Sequence, residues 1–424
     1  MTFRSQVLAV LWEDKMKKIL AGLVSAAALT ASSAFAGELV IIFDDLNPGP
    51  KAAFEKVVAD FDAANPDITV NLSINDREAH KTAIRNFLSA GAPDVTAWYP
   101  GNRMGPFVDA GQFEDISDLW ASDPNLSSSF EAIKPTMTRD GKQWGVPYSY
   151  YQWGMYYRKD IFDKMGIAEP KTWDELLAAC AKLKENGVTP ITIGTKYLWT
   201  AAGVFDYLNL RTNGYDVHND LTAGKIAYTD DRIRATFAKW EELVRPGYFV
   251  ENHASMSWQD AIAPFANGEA AMYVMGNFAV GAMKDAGLTN DQIDFFQFPE
   301  ITPGMPRAEE APADALFIPS GAKNKADARK FLAFVARPEV QSEWNIAIGQ
   351  LPPNSKAKVG DDKFIQEGMA TVSTAAGLAQ FYDRDAPAEM AKAGMEGFQE
   401  FMVKPDRLDD ILKRLDKVQK KVYK

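Results

Sequence analysis

The chain has 424 residues, 46% hydrophobic and 24% charged, with a formal net charge of −11. That length calls for two or three domains rather than one, the apolar share belongs to a packed chain rather than a disordered one, and the acidic balance argues against a surface that coats nucleic acid or an anionic membrane. One cysteine, Cys180, leaves no disulfide framework.

Lys17 and Lys18 stand before an apolar run, Ile19 to Leu29, and then Ala34-Phe35-Ala36. These are the n-region, h-region and A-x-A site of a secretory signal peptide, with cleavage expected after Ala36. Met16 directly precedes the lysines, so residues 1–15 read as an over-long start and 1–36 stay outside the fold. No cysteine stands near the site to carry a lipid, which favours a freely soluble periplasmic protein.

Glu38 to Phe43 (ELVIIF) reads as a buried first strand, and Asp44 to Pro50 as the loop at its carboxyl end. A helix follows with Phe54, Val57, Val58 and Phe61 on one face, then an alternating strand at Ile68 to Ile74, a helix from Arg77 to Ala90, and a third strand at Asp94 to Trp98. This β-α-β-α-β rhythm predicts a parallel α/β sheet. Ligands in such sheets bind in loops at the carboxyl ends of strands, which puts Asp44 to Asn47 and Trp98 to Arg103 on one edge.

The stretch from Gly141 to Gly187 carries the densest signals. Tyr148, Tyr150, Tyr151, Trp153, Tyr156 and Tyr157 exceed what one core face needs, so part of this run is expected to line a binding surface. Thr172 with Glu175 forms a capping box after Pro170, and Leu176, Leu177, Cys180 and Leu183 follow at helical spacing. Further on, Val188 to Ile193 reads as a strand leading to Thr195-Lys196-Tyr197-Leu198-Trp199-Thr200. Helices are expected at Phe205–Asn213, Asp231–Val244 and Trp258–Ala266, and a strand at Ala270–Val274 ending in Met275-Gly276-Asn277-Phe278. Asp294 to Arg307 reads as a crossing segment, Ala315 to Ile318 as a strand, and the remainder as mostly helical.

The motifs of dinucleotide, mononucleotide, serine-hydrolase and zinc-protease chemistry are absent. His80, His218 and His253 lack metal-ligand spacing, so no cofactor and no metal is expected. What remains is a set of aromatic, amide and charged residues in strand-end loops. Carbohydrate recognition needs such a set, because rings stack on pyranose faces while polar groups satisfy hydroxyls that would otherwise be buried unpaired.

At this point the chain resembles the extracellular solute-binding proteins of bacterial ABC transporters, in the group of maltose- and trehalose-binding proteins. The resemblance rests on ordered segments: AGAPDVTAW at 90–98, DAGQFEDISDLW at 109–120, GKQWGVP at 141–147, MYYRKDIFDKMGIAEPKTWDEL at 155–176, FANGEAAMYVMGNF at 265–278 and IPSGAKNKADARKFLAFVARPEVQ at 318–341. It implies a two-lobed α/β clamshell with three inter-lobe crossings, near Val146–Ser149, Pro299 and Arg337–Pro338. Lobe one would take 37–146 and 301–336, and lobe two 150–297 and 338–424. The implied ligand-binding residues are Trp98, Asn102, Arg103, Tyr151, Tyr197, Trp199, Phe278, Asp383 and Arg384. Asp44 and Asn47 join them from the strand-end reading, Gln152 from the hinge, and Gly276 as a turn residue. Asn102 stands where the family has an acid, and Tyr151 where it has a hinge-proximal acidic residue.

The function so implied is capture of a carbohydrate by a monomeric receptor that delivers it to ABC permease subunits. Two alternatives stay open: a secreted glycoside-processing enzyme, and the same receptor role for a polyol, a sugar acid or sulfonate, or glycerol phosphate. For an anionic solute, Arg103, Lys196 and Arg384 are the candidate cations.

Overall fold

A computed structural model describes residues 38–423; the signal-peptide reading falls on 1–36 and so lies outside the described residues. The strands of three or more residues are β1 (Glu38–Phe43), β2 (Thr69–Ile74), β3 (Val95–Trp98), β4 (Gly145–Tyr150), β5 (Trp153–Arg158), β6 (Thr189–Thr192), β7 (Ala270–Gly276), β8 (Ile293–Phe296), β9 (Ala308–Glu310), β10 (Ala313–Phe317) and β11 (Gly377–Ala379). The longer helices are α1 (Pro48–Ala64), α2 (Arg77–Ser89), α3 (Trp173–Glu185), α4 (Trp199–Asn213), α5 (Asp231–Val244), α6 (Lys325–Val335), α7 (Pro338–Ile348), α8 (Lys363–Ser373), α9 (Ala388–Val403) and α10 (Leu408–Val422).

Two sheets organise two lobes. The first has the order β2-β1-β3-β10-β4, with β1 parallel to both β2 and β3 and β10 antiparallel to β3 and β4. The second has the order β8-β5-β7-β6, with only β6 and β7 parallel. A short parallel pair, β9 with β11, stands apart. Each lobe has its own hydrophobic core. The pattern of β1 makes it half of a layer: Leu39, Ile41 and Phe43 point inward and are buried, as the period of two demands.

The sequence signals translate directly in several places. Pro48 occupies the first turn of α1, so the helix takes in residues read above as loop; proline's fixed φ and missing N–H suit that position. The Thr172–Glu175 capping box is formed, with Glu175 accepting from the backbone N–H of Thr172 at 3.1 Å. Helix α4 begins six residues before the expected start. It is buried on almost every face in the middle of lobe two, so it shows no amphipathic stripe to mark its extent. The opening of the 294–307 segment is strand β8, antiparallel to β5.

The crossings are displaced from the expected positions. Strand β4 belongs wholly to the first sheet and β5 to the second, so the chain first passes between lobes at Tyr151–Gln152 and not at Val146–Ser149. Residues 301–310 stay with lobe two instead of opening lobe one: Thr302 donates to the carbonyl of Thr212, and Arg211 holds both Glu309 and the carbonyl of Ala308. The second crossing therefore lies between Glu310 and Ala313 and not at Pro299. Helix α7 packs on α1 and puts Trp344 into the core of lobe one, so Pro338 is not a crossing either. Lys358 is still tied to Ser342 and Lys363 already bonds the carbonyl of Ile293, which places the third passage at 359–362. A small third core joins the connections: Leu351, Ala311, Ile365 and Val372 pack together against Tyr150.

Candidate functional site

Between the lobes lies a cleft of about 510 Å³. Its two walls differ in chemistry. Lobe one supplies the loop after β1, the first turns of α2, Tyr99 at the end of β3 and Asp314 on β10, a polar and charged surface. Lobe two supplies rings: Trp153, Trp199, Trp258, Phe278 and Phe381 line it together with Tyr151 and Tyr197. Trp153 stands at the centre, its ring 4.8 Å from that of Phe381 and 6.1 Å from those of Trp199 and Phe278. Trp258 meets Phe278 edge-on at 5.4 Å. Leu46, Tyr197 and Ile346, all large and exposed hydrophobic side chains, also lie on the cleft, where apolar exposure marks a contact surface for another molecule.

Backbone geometry aims part of this wall. Leu198 has φ 70° and ψ −41°, and Trp199 N–H donates to the carbonyl of Tyr197 at 2.8 Å. That is a tight γ-turn in a conformation costly for a non-glycine residue, of order 1–3 kcal/mol. It swings Tyr197 and Trp199 onto the same rim.

The charged floor is a network that ties the lobes together. Arg77 lies 3.2 Å from Asp45, 3.7 Å from Asp314 and 3.8 Å from Asp44. Arg384 reaches across from lobe two to Asp314 at 3.2 Å and donates to Tyr151 Oη and the carbonyl of Ala313, each at 2.8 Å. Its guanidinium also sits 4.1 Å from the ring centre of Tyr99. Lys81 stands 3.1 Å from Glu78 and 3.9 Å from Asp383. Burial works against the charge of Arg77, yet Asp44, Tyr99, Asp314 and Asp45 outweigh it and raise the pKa well above the ordinary value. The carboxyl of Asp45 is raised by burial first, with Arg77 opposing. Held donors and acceptors of this kind recognise hydroxyl groups without reorganising.

Seven of the expected site residues line the cleft: Asn47, Tyr151, Tyr197, Trp199, Phe278, Asp383 and Arg384. The other six do not. Asp44 is buried behind Asp45. The indole of Trp98 turns into lobe one, donating to the carbonyl of Arg103 and packing edge-on against Phe107. Asn102 donates to the backbone carbonyl of Asp385 at 2.7 Å, an inter-lobe bond rather than a cleft contact. Arg103 lies over the Trp98 ring. The amide of Gln152 is buried against α8, near the carbonyl of Phe364. At Gly276 a side chain would collide with the rings of Phe278 and Tyr151, so this glycine makes room and does not form the wall. Sequence reasoning placed Asp45, Tyr99 and Trp153 within stretches expected to face a ligand without singling them out, and missed Arg77, Lys81 and Asp314. Arg77 and Lys81 were accessible to it, since they sit four apart at the start of a helix that follows a strand's carboxyl end.

Residues 47–342 match the family model for the bacterial extracellular solute-binding protein. The chain belongs to this family. Among the relatives of this solute-binding protein is an uncharacterized ABC transporter extracellular-binding protein of Pyrococcus horikoshii. The two are 29% identical over 319 residues, which is 73% of this chain and 70% of the relative. A multiple sugar-binding protein of Streptococcus mutans is 25% identical over 300 residues, 69% of this chain and 70% of its own. The solved structure of AcbH, a bacterial solute receptor with an exclusive preference for β-D-galactopyranose, superposes with a TM-score of 0.86 at 25% identity, covering 92% of this chain and all of that one. A chitin oligosaccharide binding protein shares the fold at a TM-score of 0.84, with 22% identity and coverages of 92% and 99%. The α/β clamshell of this solute-binding protein is therefore the fold of its relatives.

Proposed function

We propose that this solute-binding protein is the periplasmic receptor of an ABC importer, which captures a carbohydrate between its lobes and presents the closed form to the permease subunits. The observation that carries the reading is the meeting, in one cleft, of a ring-lined wall on lobe two with a network of held charges that runs from lobe one to Asp383 and Arg384 of lobe two. A pyranose has two such surfaces, apolar faces and a girdle of hydroxyls, and would bridge the lobes as it binds. The sugar-binding relatives support the same class of solute. The reading takes the protein to be a binder and not an enzyme.

Native mass spectrometry of periplasm-purified protein, followed by thermal-shift assays with galactose, raffinose, xylo-oligosaccharides and chito-oligosaccharides, tests it. One bound sugar recovered unchanged, with a raised Tm, is expected. A hydrolysed product would convert the protein into a glycoside-processing enzyme, and a flat response across the panel would remove the carbohydrate reading.

A further inference from the structure

We infer that the cleft admits uncharged sugars and turns away their acidic counterparts; this rests on the carbohydrate reading above and narrows it. Seven carboxylates line the cleft against four cations, a surplus of three negative charges. The cations are also spent. Arg77 faces three carboxylates, those of Asp44, Asp45 and Asp314. Lys81 lies between Glu78 and Asp383, and Lys284 is 2.8 Å from Asp362. Arg384 is engaged by Asp314, Tyr151 and the carbonyl of Ala313. The two other candidate cations for an anionic solute are off the wall: Arg103 lies over Trp98, and Lys196 over Tyr197.

Backbone N–H groups offer an anion little more. A helix N-terminus ordinarily attracts anions, but α1 opens on the cleft with Pro48 and Pro50, which have no N–H to give. At α2 the carboxylate of Asp76 already accepts from Glu78 and Ala79, and at α8 that of Asp362 accepts from Phe364. At α4 the N–H groups of Trp199 and Ala201 are taken by the carbonyls of Tyr197 and Leu198. A carboxylate or phosphate entering the cleft would shed water and meet like charge, with no unpaired cation among the described residues that line it. A neutral hydroxyl, by contrast, finds acceptors on Asp45, Asp314 and Asp383.

Titration calorimetry on the mature protein with matched pairs tests this. The pairs are galactose with galacturonate, glucose with glucuronate, galactobiose with digalacturonate, and cellobiose with its uronate. In any pair that binds, the neutral member is expected to bind at least about tenfold tighter, a difference of about 1.4 kcal/mol. Asp45→Asn removes one partner of Arg77 and should narrow that gap. An acid binding as tightly as its neutral partner overturns the inference while leaving the receptor reading in place. A gap unchanged in Asp45→Asn overturns its electrostatic origin. Binding by no member of any pair overturns the carbohydrate reading and this inference with it.

Discussion

A methyl group at Gly276 would lie 2.4 Å from the ring edge of Phe278 and 3.0 Å from the ring of Tyr151, both on the cleft wall. Gly276→Ala therefore displaces two contact surfaces at once, and overpacking of this kind costs roughly 1–3 kcal/mol. Ligand affinity measured by calorimetry should fall about tenfold or more; an unchanged Kd would show that the rings move aside freely. Single residues are also where the sequence was hardest to read. Three times the expected residue proved to be the neighbour of the one that faces the cleft: Asp44 for Asp45, Trp98 for Tyr99, Gln152 for Trp153. Successive side chains on a strand point to opposite faces. A sequence locates the strand's end well, but nothing local to Trp98-Tyr99 says which ring turns inward, because that is decided by Phe107 and His80 packing from other elements.

At the scale of elements, α3 gives the cleanest test of local signals. Thr172 Oγ accepts from the N–H of Glu175, and the Glu175 carboxylate accepts from those of Thr172 and Lys171, at 3.1 and 2.7 Å. Thr172→Ala should lower stability by about 1 kcal/mol and leave ligand affinity intact, since α3 contributes nothing to the cleft. Chemical denaturation and calorimetry read the two effects separately, and a loss of affinity would contradict that separation. Elements with such punctuation were legible from sequence: β1, α1, α3 and β7 fall close to where periodicity and capping put them. Helix α4 was only half legible, because a helix buried all round carries no stripe. Helix α7 lies in lobe one although the resemblance puts a crossing at Arg337–Pro338: Pro338 merely starts the next helix, and Trp344 anchors it beside Phe54.

Across the whole molecule, a buried acid pair beside the second crossing couples stability to pH. Asp206 on α4 and Glu310 on β9 are both inaccessible to solvent, and Asp206 also accepts from the N–H of Tyr382 at 2.9 Å. Burial raises Asp206 to about 7 and Glu310 well above the carboxylate range, with Asp383 and Asp385 adding negative charge around Asp206 and Asp383 and Glu309 around Glu310. A raised folded-state pKa means that the native protein holds more protons than the unfolded chain between 3.8 and about 7. The favourable contribution is thus complete below the unfolded value and lost as pH rises through the folded one. Tm should decline over that window, and Asp206→Asn should flatten the decline; a variant with the wild-type slope would exclude this pair as its source. The two-lobed plan itself was legible through ordered family segments. The crossings were not, because they lie one strand or one helix away from where the resemblance puts them.

Cys180 is the only cysteine in the sequence, fully buried on α3, and desolvation raises its thiol pKa far from the thiolate range. Thiolate is the reactive form, so the native protein is expected to be silent to maleimides and iodoacetamides. A cysteine introduced at Leu46 on one rim of the cleft or at Tyr197 on the other, where the side chains are 47% and 42% exposed, becomes the sole labelling position. A solvent-sensitive dye attached there would turn the proposed lobe closure into an optical signal, which makes the chain a ready scaffold for a reagentless solute sensor.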